Sequence, residues 1–166
     1  MTVTRSFEIR QFDAKDLSSV MEINKKCLPE NYPSSFFLDM FANHPELFLV
    51  AKSEEMLAGY IMCRIEHGFS EARKFRLIRK GHVVSLGVLP EFRRNHIATT
   101  LVNSALERLG SDKVEECFLE VRVSNKTAIA LYESLGFKGT RRVQYYYMDG
   151  EEAVVMCKRI NPSGSP

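Results

Sequence analysis

The sequence has few cysteines, four in 166 residues, and no two of them form a C-x-x-C pair, so neither a zinc ribbon nor a dithiol redox motif is supported. Cys27, Cys63, Cys117 and Cys157 are widely scattered and read as reduced thiols. Cys63 and Cys117 fall in strand-like stretches, where a thiol serves as a small hydrophobe. No apolar run approaches membrane-spanning length, and MTVTRSFEIR lacks the hydrophobic segment of a signal peptide, so a cytoplasmic location is expected. Neither sign of charge is in excess: a net charge of +2 is too weak to argue nucleic-acid binding. Internal repeats and linkers are also missing, and 45% hydrophobic content over 166 residues suits a single core. One domain over residues 1–160 is expected, with 161–166, Asn-Pro-Ser-Gly-Ser-Pro, having the composition of a disordered tail.

What is present centres on Val83 to Val102. Apolar and β-branched residues from Val83 to Leu89 predict a buried strand, Pro90 stops it, and a helical pattern resumes at Ile97, Leu101 and Val102. Between them, Arg93 and Arg94 sit where the first orphan amides of a helix point outward, so fixed dipole and mobile cations converge. Such a spot suits an anion, phosphate above all. The alternative is an ordinary turn with two solvated arginines.

The remaining pattern flanks this unit. Phe7, Ile9 and Phe12 predict a short strand; Asp13 or Asp16 can cap a helix through Val20, Met21 and Ile23, with Lys25 and Lys26 at its end. Leu28 to Pro33 must be a loop, followed by a short helix around Phe36 to Phe41. Glu46 to Ala51 and Leu57 to Glu66 predict paired strands. His67 to Lys80 is basic and polar, either a hairpin tip or a loop over an acidic or peptide substrate. The helix from Ile97 should end at Gly110, and Val114 to Val123 is the next strand. Ser124-Asn125 caps a helix presenting Ile129, Tyr132 and Leu135, closed by Gly136. Val143 to Met148 and Glu152 to Lys158 read as strands joined at an Asp149-Gly150 hairpin turn. This order predicts an α/β or α+β layer, a mixed twisted sheet of about seven strands with helices on both faces.

Two motifs carry a family resemblance. Arg93-Arg94-Asn95-His96-Ile97-Ala98 resembles the acetyl-coenzyme A signature Q/R-x-x-G-x-G/A of the GCN5-related N-acetyltransferases, with His96 at the usual glycine. A β-carbon is compatible with helical dihedrals, so the amide at 96 is expected to face a diphosphate, with the imidazole crowding the approach. Ser124 to Phe137 resembles the family's S-N-x-x-A-x-x-L-Y-x-x-x-G-F segment at every fixed position. Leu28-Pro-Glu-Asn-Tyr-Pro33 and Tyr146 to Ala153 resemble substrate loops of Ard1/Naa10-type and RimI-type protein N-terminal acetyltransferases. Met148 and Glu152 depart from the commoner Y-Y-A-D-G-E-D-A.

Acetyl transfer to an amine needs a neutral nitrogen, a held thioester and a proton for the departing thiolate. A free α-amino group has a pKa near 8, so the base has a modest task. The resemblance assigns proton acceptance to Glu120, whose alternative is an exposed strand face or an ion pair with Arg122. It places His82 near the substrate amine; a lone histidine can equally be structural. Glu30 would receive the terminal ammonium and Tyr32 would fence the first side chain. Tyr132, with a phenol pKa near 10, would protonate the sulfur; a core tyrosine is the other reading. Leu86, Gly87 and Val88 would pair with the pantetheine arm, Gly87 by removing bulk. Arg93, Arg94, Asn95, His96, Ile97, Ala98 and Asn125 would complete the cofactor site. Tyr146 and Tyr147 would line the peptide side, unless they are ordinary hairpin packing.

The expectation is a direct, ternary-complex N-terminal α-acetyltransferase that uses acetyl-CoA and requires no metal, His82 and Glu120 alone being too few ligands for one. Its partners are protein N-termini, with ribosome association compatible and a monomer or weak dimer expected; nucleic-acid and membrane binding are not. The absence of a long tail suits a stand-alone enzyme. Rivals are transfer to a small amine or lysine side chain, and a non-catalytic acyl-CoA module.

Overall fold

The computed structural model describes residues 5–160, so the tail expected at 161–166 lies outside the described residues. Chain order is β1 (Glu8–Gln11), α1 (Leu17–Cys27), α2 (Ser34–Asn43), β2 (Phe48–Ser53), β3 (Met56–Phe69), β4 (Leu77–Val88), α3 (Ile97–Ser111), β5 (Glu116–Arg122), α4 (Lys126–Ser134), β6 (Lys138–Val143) and β7 (Ala153–Arg159). Seven strands form one mixed sheet in the order β1-β2-β3-β4-β5-β7-β6. β4 and β5 pair in parallel; β1/β2, β2/β3, β5/β7 and β6/β7 pair antiparallel. A parallel pair cannot be closed by a tight turn, and α3 supplies the crossover between β4 and β5.

The described chain divides into two units. In the first, residues through Arg64 with Val83–Arg108, Val20, Ile23 and Asn24 recur at helical spacing and form the buried face of α1. Phe12 stacks on Phe48 at 4.0 Å and meets Phe41 edge-on at 5.2 Å. Phe37 of α2 and the β2 run Phe48 to Ala51 are fully buried beside them. Asp13 caps the turn before α1, accepting from Lys15 N, while Asp16 pairs with Arg10 at 2.7 Å. Neither aspartate side chain caps α1 itself: Asp13 caps the short turn ahead of it, and Asp16 takes Arg10 and the Asp13 amide.

In the second unit, Ile65–His82 with Leu109 onward, the strand period puts Phe118, Val155 and Cys157 in one buried cluster with Val143 against it. Asn125 caps α4 by accepting from Ala128 N at 3.1 Å, and Gly136 follows at φ +92°. Both expectations for that helix hold, although Tyr132 alone is deeply buried and Ile129 and Leu135 are half-buried.

Three boundaries differ from the sequence reading. α3 passes through Gly110 to Ser111, and the left-handed residue beyond it is Lys113, φ +58°. β3 extends to Phe69 and β4 begins at Leu77, so half of the basic stretch is strand and residues 70–76 connect the two. Arg76 pairs with Glu115, Arg79 with Asp112, and Lys80 is buried. Val143 to Met148 is not a strand: β6 ends at Val143, Tyr145 turns left-handed at φ +54°, and a wide loop reaches Ala153. Its acids are drawn elsewhere, since Asp149 and Glu151 take Arg122 at 2.8 and 3.0 Å, and Glu151 accepts Ser124 N at 3.0 Å.

Candidate functional site

The first unit holds Glu30, Tyr32, Leu86, Gly87, Val88 and Arg93 to Ala98; the second holds His82, Glu120, Asn125, Tyr132, Tyr146 and Tyr147. In the first unit the segment before α3 is a built turn. Asn95 Nδ2 donates to the carbonyls of Phe92 and Arg93, both at 3.1 Å, and Asn95 Oδ1 accepts Arg5 N at 3.4 Å. Arg93 Nε donates to Val88 O at 3.1 Å, tying the turn to the end of β4. Thus the Asn95 side chain and one nitrogen of Arg93 hold the loop, while Arg94 is exposed.

Arg94 and His96 both lie in the left-handed region, at φ +64° and +61°. The expectation of ordinary helical dihedrals at 96 is therefore corrected. His96 is the residue before α3, and its carbonyl accepts Thr100 N at 3.0 Å as a cap does. Left-handed residues at a turn create concavities of backbone amides, and with the leading amides of α3 and the exposed guanidinium of Arg94 this loop fits a diphosphate. The residues present therefore suit the phosphate end of acetyl-CoA.

Gly87 is crowded by side chains of α1 and β3. A Cβ there would lie 3.0 Å from Tyr60 Cε1 and 3.3 Å from Ile23 Cγ2, so α1 and β3 packing sets the limit. A Cβ at Gly59 would reach 2.7 Å from the Gly87 carbonyl.

The Glu30–Tyr32 loop is held by a residue the sequence reading did not select. Buried Asn24 donates from Nδ2 to Glu30 O at 3.1 Å and to Tyr60 Oη at 3.0 Å, and its Oδ1 accepts Tyr32 N at 3.4 Å. Tyr60 Oη is 2.6 Å from Ser85 Oγ. Burial pushes the Tyr60 phenol up to about 12 despite hydrogen bonds from Ser85 and Asn24, so it stays a neutral structural group. Tyr32 stacks on Phe36 at 4.5 Å, which fixes its ring. A polar residue at i+4 on an apolar helix stripe was the available signal for Asn24.

In the second unit His82 and Glu120 come together. His82 Nε2 lies 2.7 Å from Glu120 Oε2, and His82 Nδ1 lies 3.1 Å from Glu66 Oε1. The imidazole stacks on Phe118, centroids 4.3 Å apart and planes 11° from parallel. The β4/β5 ladder, Lys80 to His82 against Glu116 to Phe118, sets this register. The alternative pairing of Glu120 with Arg122 is overturned, because Arg122 is committed to Asp149 and Glu151.

Beside this group lies a second buried polar cluster. Lys80 Nζ donates to Phe69 O at 2.8 Å, sits 3.3 Å from Glu71, and lies 4.2 Å from the Phe118 ring centre. Burial pushes Glu71 up, but Arg141 and Lys80 outweigh it and hold the carboxyl below its usual range. Burial likewise raises Glu116, yet bonds from Ser70, Cys157 and the Glu71 amide pull it down on balance. These groups order the β3–β4 turn.

Tyr132 is buried and meets Phe137 edge-on at 5.5 Å. Tyr147 is half-buried under the Arg122 guanidinium at 4.1 Å and packs edge-on to the more exposed Tyr146. All four cysteines are free thiols; burial pushes Cys63 up to about 12, and it is inert. Among the described residues no helix is long and apolar enough to cross a membrane, and no group of three potential ligands could hold a metal ion.

This combination of sheet, diphosphate-type turn and asparagine-capped helix is that of a known class: the chain belongs to the acetyltransferase (GNAT) family, whose model matches residues 17–137. Within it, the N-alpha-acetyltransferase of Saccharolobus solfataricus is 46% identical over 158 residues, covering 94% of this chain and 95% of that protein. The crystal structure of Chaetomium thermophilum Naa20 in complex with a bisubstrate analogue superposes with a TM-score of 0.83 at 30% identity, covering 92% of this chain and 86% of that one. Ard1 from Thermoplasma volcanium gives 0.81 at 27% identity, with 93% and 97% covered.

Proposed function

We propose that the protein is an N-terminal α-acetyltransferase, moving an acetyl group from acetyl-CoA directly to the α-amino group of a protein N-terminus. The observation that carries this reading is the 2.7 Å contact between Glu120 and His82, an acid fixed by a ring on neighbouring strands. Acetyl-CoA supplies the activated acyl group. Glu120 accepts the proton of the terminal ammonium, directly or through water, leaving a neutral nitrogen to form the new C–N bond. Tyr132 gives its proton to the sulfur as the C–S bond breaks; the nitrogen of the new C–N bond releases its surplus proton to solvent, and Tyr132 regains one from solvent.

In the same reading, the α3 turn with Arg94 and the amides of His96, Ile97 and Ala98 holds phosphate, while backbone of Leu86, Gly87 and Val88 pairs with the pantetheine arm. Asn125 adds a cofactor contact. Glu30 draws the substrate ammonium, Tyr32 bounds its first side chain, and Tyr146 and Tyr147 hold the extended peptide. In this reading the protein meets its substrates in the cytoplasm.

The test is mass spectrometry of a lysine-containing peptide incubated with protein and acetyl-CoA. Acetate on the α-amine is expected. Acetate found only on the lysine side chain overturns the proposal.

A further inference from the structure

Glu66 has no place in the motifs above, yet its carboxylate is the second partner of the His82 ring. It projects from β3, with Oε1 3.1 Å from Nδ1, while Glu120 from β5 takes the opposite nitrogen at 2.7 Å. The Phe118 stack fixes the plane of the imidazole, and a bond at Nδ1 fixes its rotation within that plane. Together the two constraints leave Nε2 one direction, toward Glu120 Oε2.

Protons fit the same arrangement. A neutral imidazole has one N–H, so it can donate to only one of two ionised carboxylates; the ring donates to both when each nitrogen carries a proton. Other charges bear on the group: Lys80 stands 4.2 Å from the Phe118 ring centre, and Arg141, gripped by Glu71, acts on Glu120 through its charge. The group at Nδ1 itself is Glu66.

We propose that Glu66 is a positioning residue for acetyl transfer: it accepts Nδ1–H of His82 and thereby holds the ring with Nε2 against Glu120, leaving the other Glu120 oxygen to take the substrate proton. The proposal rests on the transferase reading for its activity assay but on the ring contact for its geometry. The Glu66 side chain is 33% exposed, and the His82 ring keeps Glu120 at 2.7 Å after its replacement, so the variants are expected to fold.

The experiment compares wild type, Glu66→Ala, Glu66→Gln, His82→Gln and the double variant Glu66→Ala/His82→Gln. Steady-state assays with peptide and acetyl-CoA are paired with long-range 1H–15N spectra of the histidine rings. Glu66→Ala is expected to lower kcat by roughly 10-fold or more with the KM for acetyl-CoA within about twofold of wild type. Glu66→Gln, whose amide oxygen accepts from Nδ1, recovers most of the rate. In the His82→Gln background Glu66→Ala adds less than about twofold, the signature of one residue acting through the other. The protonated Nδ1 signal of His82, present in wild type, is lost in Glu66→Ala. Equal losses in both backgrounds, or an unchanged Nδ1 signal in Glu66→Ala, overturn the proposal. A wild type that acetylates no peptide sinks the transferase reading instead, and the ring spectra then decide the Glu66 contact alone.

Discussion

Asn24 of α1 donates to the hydroxyl of Tyr60 on β3 at 3.0 Å, and the same carboxamide holds the backbone of Glu30 and Tyr32. One buried side chain thus fastens a loop proposed to meet the peptide to the strand core of its unit.

Asn24→Ala is expected to raise the KM for peptide several-fold while leaving the KM for acetyl-CoA near wild type. It also leaves Tyr60 Oη and two backbone groups short of a partner, a loss of about 2 kcal/mol in stability. Urea unfolding and peptide titrations at saturating acetyl-CoA measure both. Unchanged peptide KM would show that the loop does not touch substrate.

His96 occupies a left-handed position that disfavours a β-carbon. His96→Gly is expected to leave stability unchanged or raise it by about 1 kcal/mol, because relief of the conformation offsets glycine's greater unfolded-state entropy. Acetyl-CoA binding by calorimetry should be at least as tight. His96→Val, β-branched in the same conformation, should lose more than about 1 kcal/mol. Equal stability of the two variants contradicts this account.

Tyr132→Phe keeps the ring that packs on Phe137 and removes the proton assigned to the thiolate. Turnover should fall by about 100-fold or more with little change in acetyl-CoA affinity. A rate within twofold of wild type removes Tyr132 from the chemistry.

A hydrogen bond from Arg10 holds the Asp16 carboxyl below its usual range. A depressed folded value means stability present above the unfolded pKa near 3.9 and lost as pH falls through the folded one. Asp16→Asn should therefore cost about 1 kcal/mol at pH 7, and its unfolding curve should converge with wild type on acidification below pH 4. A constant difference at all pH values contradicts the linkage.

Gly59→Ala would drive a methyl group to 2.7 Å from the Gly87 carbonyl, backbone against backbone. A loss of roughly 1–3 kcal/mol is expected by thermal unfolding, with no relief from a neighbouring side chain.

Much of the fold was legible because it is written in local periodicity. The strand-turn-helix order from Val83 to Val102 and the cap at Asn125 depend on residues within a few positions of one another, and both are present, although β4 starts earlier and His96 is left-handed. The Asp149-Gly150 turn forms, with Gly150 N donating to Tyr147 O at 2.8 Å, but the strand expected over Val143 to Met148 does not: β6 ends at Val143, and Asp149 and Glu151 on the loop take Arg122. Lys80, grouped with solvated neighbours in a basic run, is buried because β4 carries it against Phe69 and Glu71.

The sequence by itself determined the order of helices and strands, the turn before α3 and the list of chemically able side chains, since hydrophobic spacing and capping residues act over one or two turns of chain. Only the tertiary structure decided that His82 stands between Glu66 and Glu120 and that Asn24 holds the Glu30 loop. Those outcomes follow from strand register and packing among residues far apart in the chain, which no single stretch of sequence contains.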